Sequence, residues 1–344
     1  GVVSISEHEV QLQNGSVPAE LVLMSVGGRP ESAIAKACGI ALNGRGSILV
    51  NSRMETNIAD IYAVGDAVEV QNFVSKEAAF LPLAGPANKQ GRIAADNICG
   101  IASEYTGTQG SAVAKLFDMT IASTGLNEKS AQAAGITYDK TYLYSGSHAG
   151  YYPGATNMSI KALWDQETKK LLGAQIVGFD GVDKRMDVLA AAIRFGAKVT
   201  DLTELELCYA PPFGSAKDPV NMLGFVAENI VTGKVKQFFW DEVEKLPRDG
   251  SVTLLDVRTK TEASHGKIDG FYNIPLDGLR EHLDEIPKDK PVYVHCHSGL
   301  RSYIACRILQ GRGYDCYNLA GGYRLYETVA HEGKVADYSC RECK

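Results

Sequence analysis

Cys296 stands where a strand gives way to a loop and then a helix. An apolar run beginning at Val292 delivers the cysteine to the C-terminal end of a predicted strand, the edge at which open α/β sheets bind ligands. Gly299 allows the backbone to curl until N–H groups point at one atom, and the following helix start adds positive potential. These donors would stabilise a thiolate or a persulfide. The thiol pKa would then fall, which makes a cysteine nucleophilic.

Arg301 adds a positive charge to this loop and is predicted to act in catalysis with Cys296. The spacing is C-x4-R, whereas protein phosphatases on a related sheet use C-x5-R, a loop that surrounds three phosphate oxygens. The shorter loop suits a single sulfur. The alternative is a structural cysteine buried at a strand end. The residues predicted to surround the sulfur, called the persulfide loop below, are His297, Ser298, Gly299, Leu300 and Ser302.

A second candidate site lies at Gly65-Asp66, where the run from Thr56 to Asp66 ends. The glycine permits close approach of a ligand to the backbone, and the carboxylate can accept hydrogen bonds from hydroxyl groups. The alternative is a strand and turn with a solvated aspartate.

Hydrophobic patterning divides the chain into three predicted parts, residues 1–107, 108–236 and 237–344. The first part combines short strands with one helix. Its predicted elements are strands at Val2–Ile5, Glu9–Leu12, Leu21–Val26, Ser47–Val50 and Ile61–Val64, a hairpin turn at Asn14-Gly15, and a helix within Ala78–Ile98.

The second part follows a polar, glycine-rich linker at 103–111 and mixes strands with two long amphipathic helices at about 182–195 and 219–232. Its other predicted elements are a helix at about 127–134 and strands around 137–144, 158–165 and 171–177. The third part alternates strands at 252–256, 293–295 and 316–319 with a helix at 301–311. That alternation predicts a small parallel sheet covered by helices.

The composition excludes several classes of function. The net charge of −6 and the lack of a basic block argue against nucleic acid, and no apolar run suits a membrane span. The first ten residues do not resemble a signal peptide. Eight scattered cysteines predict a cytoplasmic protein with reduced thiols and no metal site. Cys340 and Cys343 form one close pair, which could be half a zinc site, a redox pair or two thiols of a frayed tail.

Residues 240–330 resemble the rhodanese family. The resemblance rests on Leu254–Arg258, Glu262, His265–Pro275 and the Asn318–Tyr323 turn. It implies that Cys296 carries a sulfane sulfur. It also implies that Asp256 and Arg258 brace the active loop through ion pairs. His295 and His297 flank the nucleophile, and neither is expected to be an essential base.

The first part resembles the pyridine nucleotide-disulfide oxidoreductases. Thr56–Asp66 resembles their second flavin motif, Val26–Pro30 their Gly-Arg-Pro turn, and Leu83–Arg92 the start of the helix beneath the flavin ring. The resemblance implies that Asp66 binds a ribityl hydroxyl of FAD. The other implied cofactor-binding residues are Gly65, Pro86, Ala87 and Lys89. No G-x-G-x-x-G occurs, so roughly 230 upstream residues are expected to be missing and this piece alone is expected to bind FAD poorly.

The second part resembles the dimerisation domain of coenzyme A-disulfide reductases at His148–Gly154 and Tyr209–Pro219. There, two tyrosines of the partner subunit lie near a redox cysteine. The matching positions are Tyr151 (or its neighbour Tyr152) and Tyr209. A phenol can donate a proton to a departing thiolate, although Tyr209 could instead be a core aromatic.

The whole chain therefore resembles coenzyme A-disulfide reductase–rhodanese fusions. We expect a multidomain α/β and α+β fold: the remainder of an FAD-binding domain, a dimerisation domain and a rhodanese domain. The implied enzyme is a homodimer that uses FAD, NADH or NADPH, and coenzyme A. It would reduce coenzyme A disulfide, coenzyme A persulfide or polysulfide. Two alternatives stay open: an NAD(P)H oxidase with an accessory rhodanese module, and a dimerising persulfide-binding scaffold without flavin activity. The sulfur donor and acceptor and the choice of nicotinamide also stay open.

Overall fold

The computed structural model describes residues 1–330, which form two compact units. The first unit comprises residues 1–70 and 80–105, and the second comprises residues 71–79 and the chain from Thr106 onward. Within the described residues no helix is long and apolar enough to cross a membrane.

The first unit begins with an antiparallel meander and ends with one long helix. Its elements are β1 (Val2–Ile5), β2 (Glu9–Leu12), β3 (Gly15–Pro18), α1 (Ala33–Ala37) and α2 (Ala84–Ile98). Between α1 and α2 in the chain, the short strands β4 (Val70–Gln71) and β5 (Ala78–Ala79) pair with each other. The hairpin predicted at Asn14-Gly15 is present, because Leu12 pairs with Gly15. Ile48, Val68 and Val70 form a small core.

The prediction of a buried strand at Leu21–Val26 was wrong. This segment forms no strand, and Leu21, Leu23 and Val26 are each more than 85% exposed. Within the described residues no strand pairs with this segment, so its backbone has no ladder and its side chains have no covering layer. The runs 47–50 and 61–64 are likewise not strands. They contribute only isolated bridges, such as Ile48 to Val68.

The predicted helix begins later than Ala78. Ala78–Ala79 is the short strand β5, and α2 starts at Ala84 after an extended Leu83. Pro82 favours extended backbone just before the helix. Pro86 falls in the first turn of α2, where its missing N–H leaves no helical hydrogen bond unmade.

The middle of the chain folds as an antiparallel sheet packed against two helices. Its elements are β6 (Ala112–Leu116), β7 (Met119–Gly125), α3 (Glu128–Ala133), β8 (Tyr138–Gly146), β9 (Asn157–Asp165), β10 (Leu171–Gly178), α4 (Val182–Arg194) and α5 (Pro219–Val231). The strand order is β6-β7-β10-β9-β8. Trp164, Leu189 and Leu223 lie fully buried in its core. The sequence patterns missed β6 and β7 because β6 is exposed along its whole length and β7 is rich in small polar residues.

The last part contains a parallel five-stranded sheet with helices. Its elements are β11 (Lys236–Phe238), β12 (Thr253–Asp256), α6 (Lys260–Ser264), β13 (Tyr272–Asn273), β14 (Val292–His295), α7 (Leu300–Gln310), β15 (Cys316–Leu319) and α8 (Gly322–Ala330). The order is β11-β15-β14-β12-β13, with β14 in the centre. The expected parallel sheet is therefore present, with β11, α6, β13 and α8 in addition to the predicted elements.

Candidate functional site

Cys296 follows the central strand β14 directly, and α7 begins four residues later. Its side chain is fully buried, yet its Sγ accepts two hydrogen bonds. Gly299 N lies 3.1 Å from the sulfur and Ser302 Oγ lies 3.2 Å from it. Such donors favour a thiolate or persulfide anion over the neutral thiol. The sulfur is thus held by one peptide N–H and one hydroxyl, where the sequence predicted a ring of peptide groups.

The peptide that donates to the sulfur is held from its far side. Gly299 adopts φ +99°, a conformation that other residues rarely take. Its carbonyl oxygen accepts from Asn318 Nδ2 at 3.3 Å and lies 3.2 Å from Ser302 Oγ, whose one proton is shared between this oxygen and the Cys296 sulfur. Asn318 therefore positions the loop from β15. The sequence pattern marked Asn318 only as part of a turn, because nothing local connects it with Gly299.

The first turn of α8 packs against the other face of the persulfide loop. Tyr323 N donates to Cys296 O at 2.8 Å, and Arg324 N donates to His297 O at 2.9 Å. A Cβ built on Gly322 would lie 2.7 Å from each of these carbonyl oxygens. The two elements approach so closely that only glycine fits between them.

Arg301 is paired with a carboxylate in the structure. Its guanidinium forms a bidentate ion pair with Glu262, with N–O distances of 2.7 and 2.5 Å. These hydrogen bonds lower the pKa of Glu262 to about 2. A carboxylate that accepts two charge-assisted bonds is a stronger partner for a guanidinium than a sulfur acceptor. The catalytic role of Arg301 stays a prediction.

Asp256 and Arg258 form a buried ion pair behind the loop, as the sequence suggested. Arg258 Nη2 lies 2.8 Å from Asp256 Oδ2 and also donates to Gly266 O. His295 Nε2 lies 3.7 Å from the same carboxylate oxygen, and its ring packs edge-on against Phe271. This layer fixes the end of β14, from which Cys296 projects.

His295 makes the stability of this domain depend on pH. Burial lowers its pKa to about 4, against an ordinary value of 6.5. The unfolded chain therefore binds a proton at higher pH than the folded chain, so the stabilising contribution is complete above pH 6.5 and is lost as pH falls toward 4. We expect a loss of about 3 kcal/mol across that window.

Urea unfolding at a series of pH values measures this loss. His295→Phe, which keeps an aromatic ring in place, should flatten the dependence, whereas the exposed His265→Asn should keep it. A His295→Phe protein with the wild-type slope would refute the assignment.

Tyr151 and Tyr209 lie together although 58 residues separate them, and their hydroxyl oxygens are 3.2 Å apart. That hydrogen bond raises the pKa of Tyr151. Both rings are substantially exposed, as side chains that face a partner or substrate must be. Tyr152 packs instead edge-on against His148. Tyr151, and not its neighbour, is therefore the member of the pair.

A buried ion pair holds the two loops that carry these tyrosines. Arg185 of α4 binds Asp218 at 2.9 Å, and both side chains are almost completely buried. Arg185 also donates to Ser147 O in the first loop and to Phe213 O in the second. Arg185 is not among the site residues predicted from sequence. Its burial is nevertheless indicated by the sequence, because Arg185 lies on the apolar face of α4 at helical spacing from Val182 and Leu189.

We expect Arg185→Met to lower the free energy of unfolding by about 3–5 kcal/mol, because it leaves the Asp218 carboxylate buried without a counter-ion. Denaturant titration measures this loss. Lys184→Met removes an exposed cation from the same helix and should change stability by less than about 0.5 kcal/mol. Equal stability of the two variants would contradict the role given to Arg185.

The predicted flavin residues gather around the start of α2. Gly65 has φ +80° and its N–H donates to the buried Gln90 side chain at 2.7 Å. A Cβ at Gly65 would lie 3.9 Å from the Ala87 Cβ, so the Gly-Asp turn faces the first turn of the helix. Asp66 and Lys89 are exposed, and Pro86 is half-buried. The turn therefore presents a free carboxylate beside a helix N-terminus. Cys340 and Cys343 lie outside the described residues.

Three family models match the chain in succession. Residues 2–91 match the pyridine nucleotide-disulphide oxidoreductase model, and residues 111–219 match the dimerisation domain of the same group. Residues 239–328 match the rhodanese-like domain. The succession agrees with the predicted fold class, and the exact domain boundaries stay predictions.

Relatives with curated names match about two thirds of this chain. A coenzyme A disulfide reductase of Staphylococcus epidermidis is 37% identical over 226 residues, which are 65% of this chain and 51% of the relative. An NAD(P)H coenzyme A polysulfide/persulfide reductase of Pyrococcus horikoshii is 35% identical over 212 residues, 62% of this chain and 47% of the relative. The chain spans about half the length of the curated relatives it matches.

Solved structures extend the likeness to almost the whole chain. Reduced Bacillus anthracis CoADR-RHD superposes with a TM-score of 0.92 at 47% identity, covering 96% of this chain and 60% of that one. A NAD-dependent persulfide reductase from A. fulgidus gives 0.84 at 36% identity, covering 93% and 58%. The chain therefore belongs to the pyridine nucleotide-disulfide oxidoreductases that carry a dimerisation domain and a rhodanese domain.

Proposed function

We propose that this chain belongs to a homodimeric flavoenzyme that reduces coenzyme A persulfide, coenzyme A disulfide or polysulfide, with Cys296 as the sulfur-carrying nucleophile. The observation that carries the proposal is the Cys296 sulfur at the C-terminal end of β14, with Gly299 N–H and Ser302 O–H directed at it. The names of the Staphylococcus and Pyrococcus relatives support the choice of coenzyme A.

Sulfur transfer at this site needs no net oxidation or reduction. The Cys296 thiolate attacks the outer sulfur of a persulfide or of thiosulfate, and a new S–S bond forms at Sγ. The bond between that sulfur and its former carrier breaks, and the electron pair leaves with the thiolate or sulfite. Gly299 N–H and Ser302 O–H stabilise the negative charge on Sγ before the transfer, and after it the charge lies on the outer sulfur of the Cys296 persulfide. An acceptor nucleophile then removes the outer sulfur and restores the thiolate.

The family implies FAD and NAD(P)H, and the residues around α2 fit part of a flavin site. Asp66 offers an exposed carboxylate for a hydroxyl group, and the N-terminus of α2 offers free N–H groups beside it. When bound, FAD would pass two electrons from NAD(P)H to the persulfide, which yields a thiol and sulfide. Pro86, Ala87 and Lys89 would lie along the helix that supports it.

The tyrosine pair and the sheet edge support a homodimer. Tyr151 and Tyr209 are exposed, so they can serve a site on a partner subunit, where a phenol could protonate a departing thiolate. The edge strand β6 and its turn expose Val113, Leu116 and Phe117, which are 61%, 54% and 90% accessible. An exposed apolar edge of this kind is typical of a subunit interface.

Thiosulfate and cyanide test the sulfur-transfer half of the proposal directly. The purified protein should form thiocyanate and sulfite, and its failure to do so would refute Cys296 as a sulfur carrier. For the reductase half, the flavin-loaded enzyme should oxidise NADH or NADPH faster with coenzyme A persulfide than with oxygen. The opposite order would favour an oxidase.

A further inference from the structure

Three arginines lie around the persulfide loop, and they differ in the groups that they contact. Arg258 is paired with Asp256, and Arg301 is paired with Glu262, so both charges are neutralised locally. Arg324, at the start of α8, is exposed and contacts an aromatic ring instead. Its backbone is hydrogen-bonded to the loop, because Arg324 N donates to His297 O at 2.9 Å.

The ring beneath Arg324 belongs to the dimerisation domain. The guanidinium carbon lies 4.7 Å from the centroid of Tyr144, a residue of β8. A guanidinium that stacks on a ring face keeps its in-plane N–H donors for another partner. Stacking also restricts a long side chain that would otherwise lose entropy on binding a ligand. Tyr144 thus orients the Arg324 guanidinium, whose N–H donors lie next to the loop.

The charge of Arg324 reaches the residue that follows the nucleophile. Partial burial and the positive charge of Arg324 together lower the pKa of His297. An anion placed beside His297 would therefore lie within the field of Arg324, which forms no ion pair with a carboxylate among residues 1–330, whereas Arg301 is paired with Glu262.

We propose that Arg324, oriented by Tyr144, binds the anionic group of the donor from which Cys296 takes up its sulfur. The inference rests on the proposed sulfur transfer and identifies the substrate class as a sulfur donor with a dianionic group. Two donors share this chemistry: the sulfo group of thiosulfate and the phosphates of coenzyme A persulfide. Arg324 is a binding residue here, so its loss should weaken binding of the donor more than it slows the transfer step.

The test compares steady-state kinetics with thiosulfate and with coenzyme A persulfide. Arg324→Gln should raise the KM of at least one donor about tenfold and change kcat less than about twofold. Arg324→Lys and Tyr144→Leu should give intermediate KM values, because the first keeps charge without the planar fork and the second removes the orienting ring. The donor whose KM rises identifies the anionic group.

Arg312→Gln is the matched control, since it removes an exposed arginine at the far end of α7 and should leave both KM values unchanged. Unchanged KM values in Arg324→Gln, or a loss confined to kcat, would overturn the proposal. Titration of thiosulfate into Cys296→Ser protein, with and without Arg324→Gln, measures binding without turnover. The same titration is made with coenzyme A. About tenfold weaker binding of at least one of the two ligands in the double variant supports the site even if wild-type sulfur transfer is not found, and equal binding of both refutes it.

Discussion

Cys296→Ser should reduce sulfur transfer from thiosulfate at least about a thousandfold, to the background rate. A serine hydroxyl would be a weak nucleophile at this site, and a persulfide cannot form on oxygen. The Cys296→Ser protein should fold normally, because the serine oxygen is smaller than sulfur and can still accept from Gly299 N and Ser302 Oγ. The loss therefore reports on chemistry and not on stability.

Thiocyanate formation measures the rate, and thermal unfolding checks the fold. Cys38→Ser is the matched control, because Cys38 is an exposed free thiol in the first unit. It should keep the wild-type rate. Full activity in Cys296→Ser would show that another group carries the sulfur.

Gly322→Ala should lower the same activity by about a hundredfold, the effect expected when reacting groups move by about 1 Å. The added Cβ would lie 2.7 Å from both Cys296 O and His297 O and 2.8 Å from Gly299 N. The loop must shift to admit it, and Gly299 N–H would move off the sulfur. The positive φ of Gly322, +61°, adds strain to the clash.

Gly313→Ala separates the two causes. Gly313 also has a positive φ, +87°, but a Cβ there meets nothing within 4 Å. Its variant should share the backbone strain, lose about 1 kcal/mol of stability and keep its activity. If both variants lost activity equally, strain alone would explain the result and the close approach of α8 to the loop would not matter.

Local patterns predicted the elements that bear the nucleophile and missed the contacts that hold it. The strand to His295, the loop and the helix from Leu300 follow from short-range signals of hydrophobicity and glycine. Asn318, which fixes the Gly299 peptide, lies 19 residues away on another strand. A hydrogen bond between residues so far apart in sequence depends on how the strands assemble, and no hydrophobic periodicity in the sequence indicates it.

Charged residues show the same limit. The spacing from Cys296 predicts that Arg301 adds a positive charge to the loop, but it does not predict the pairing with Glu262, 39 residues earlier. Arg185 lies among charged residues at the start of α4, but its place on the apolar face of the helix indicates burial. Conversely, Leu21–Val26 has an apolar pattern typical of a buried strand, but burial requires a neighbouring layer as well as suitable residues.

The most direct test is to treat the protein with thiosulfate, digest it with trypsin under non-reducing conditions and measure the masses of the cysteine peptides by mass spectrometry. Arg301, Arg307 and Arg312 lie between Cys296, Cys306 and Cys316, so each cysteine falls on its own peptide. We predict a gain of about 32 mass units, one sulfur, on the Cys296 peptide and its loss after cyanide. An unchanged Cys296 peptide, or a gain on the Cys306 or Cys316 peptide, would contradict the account.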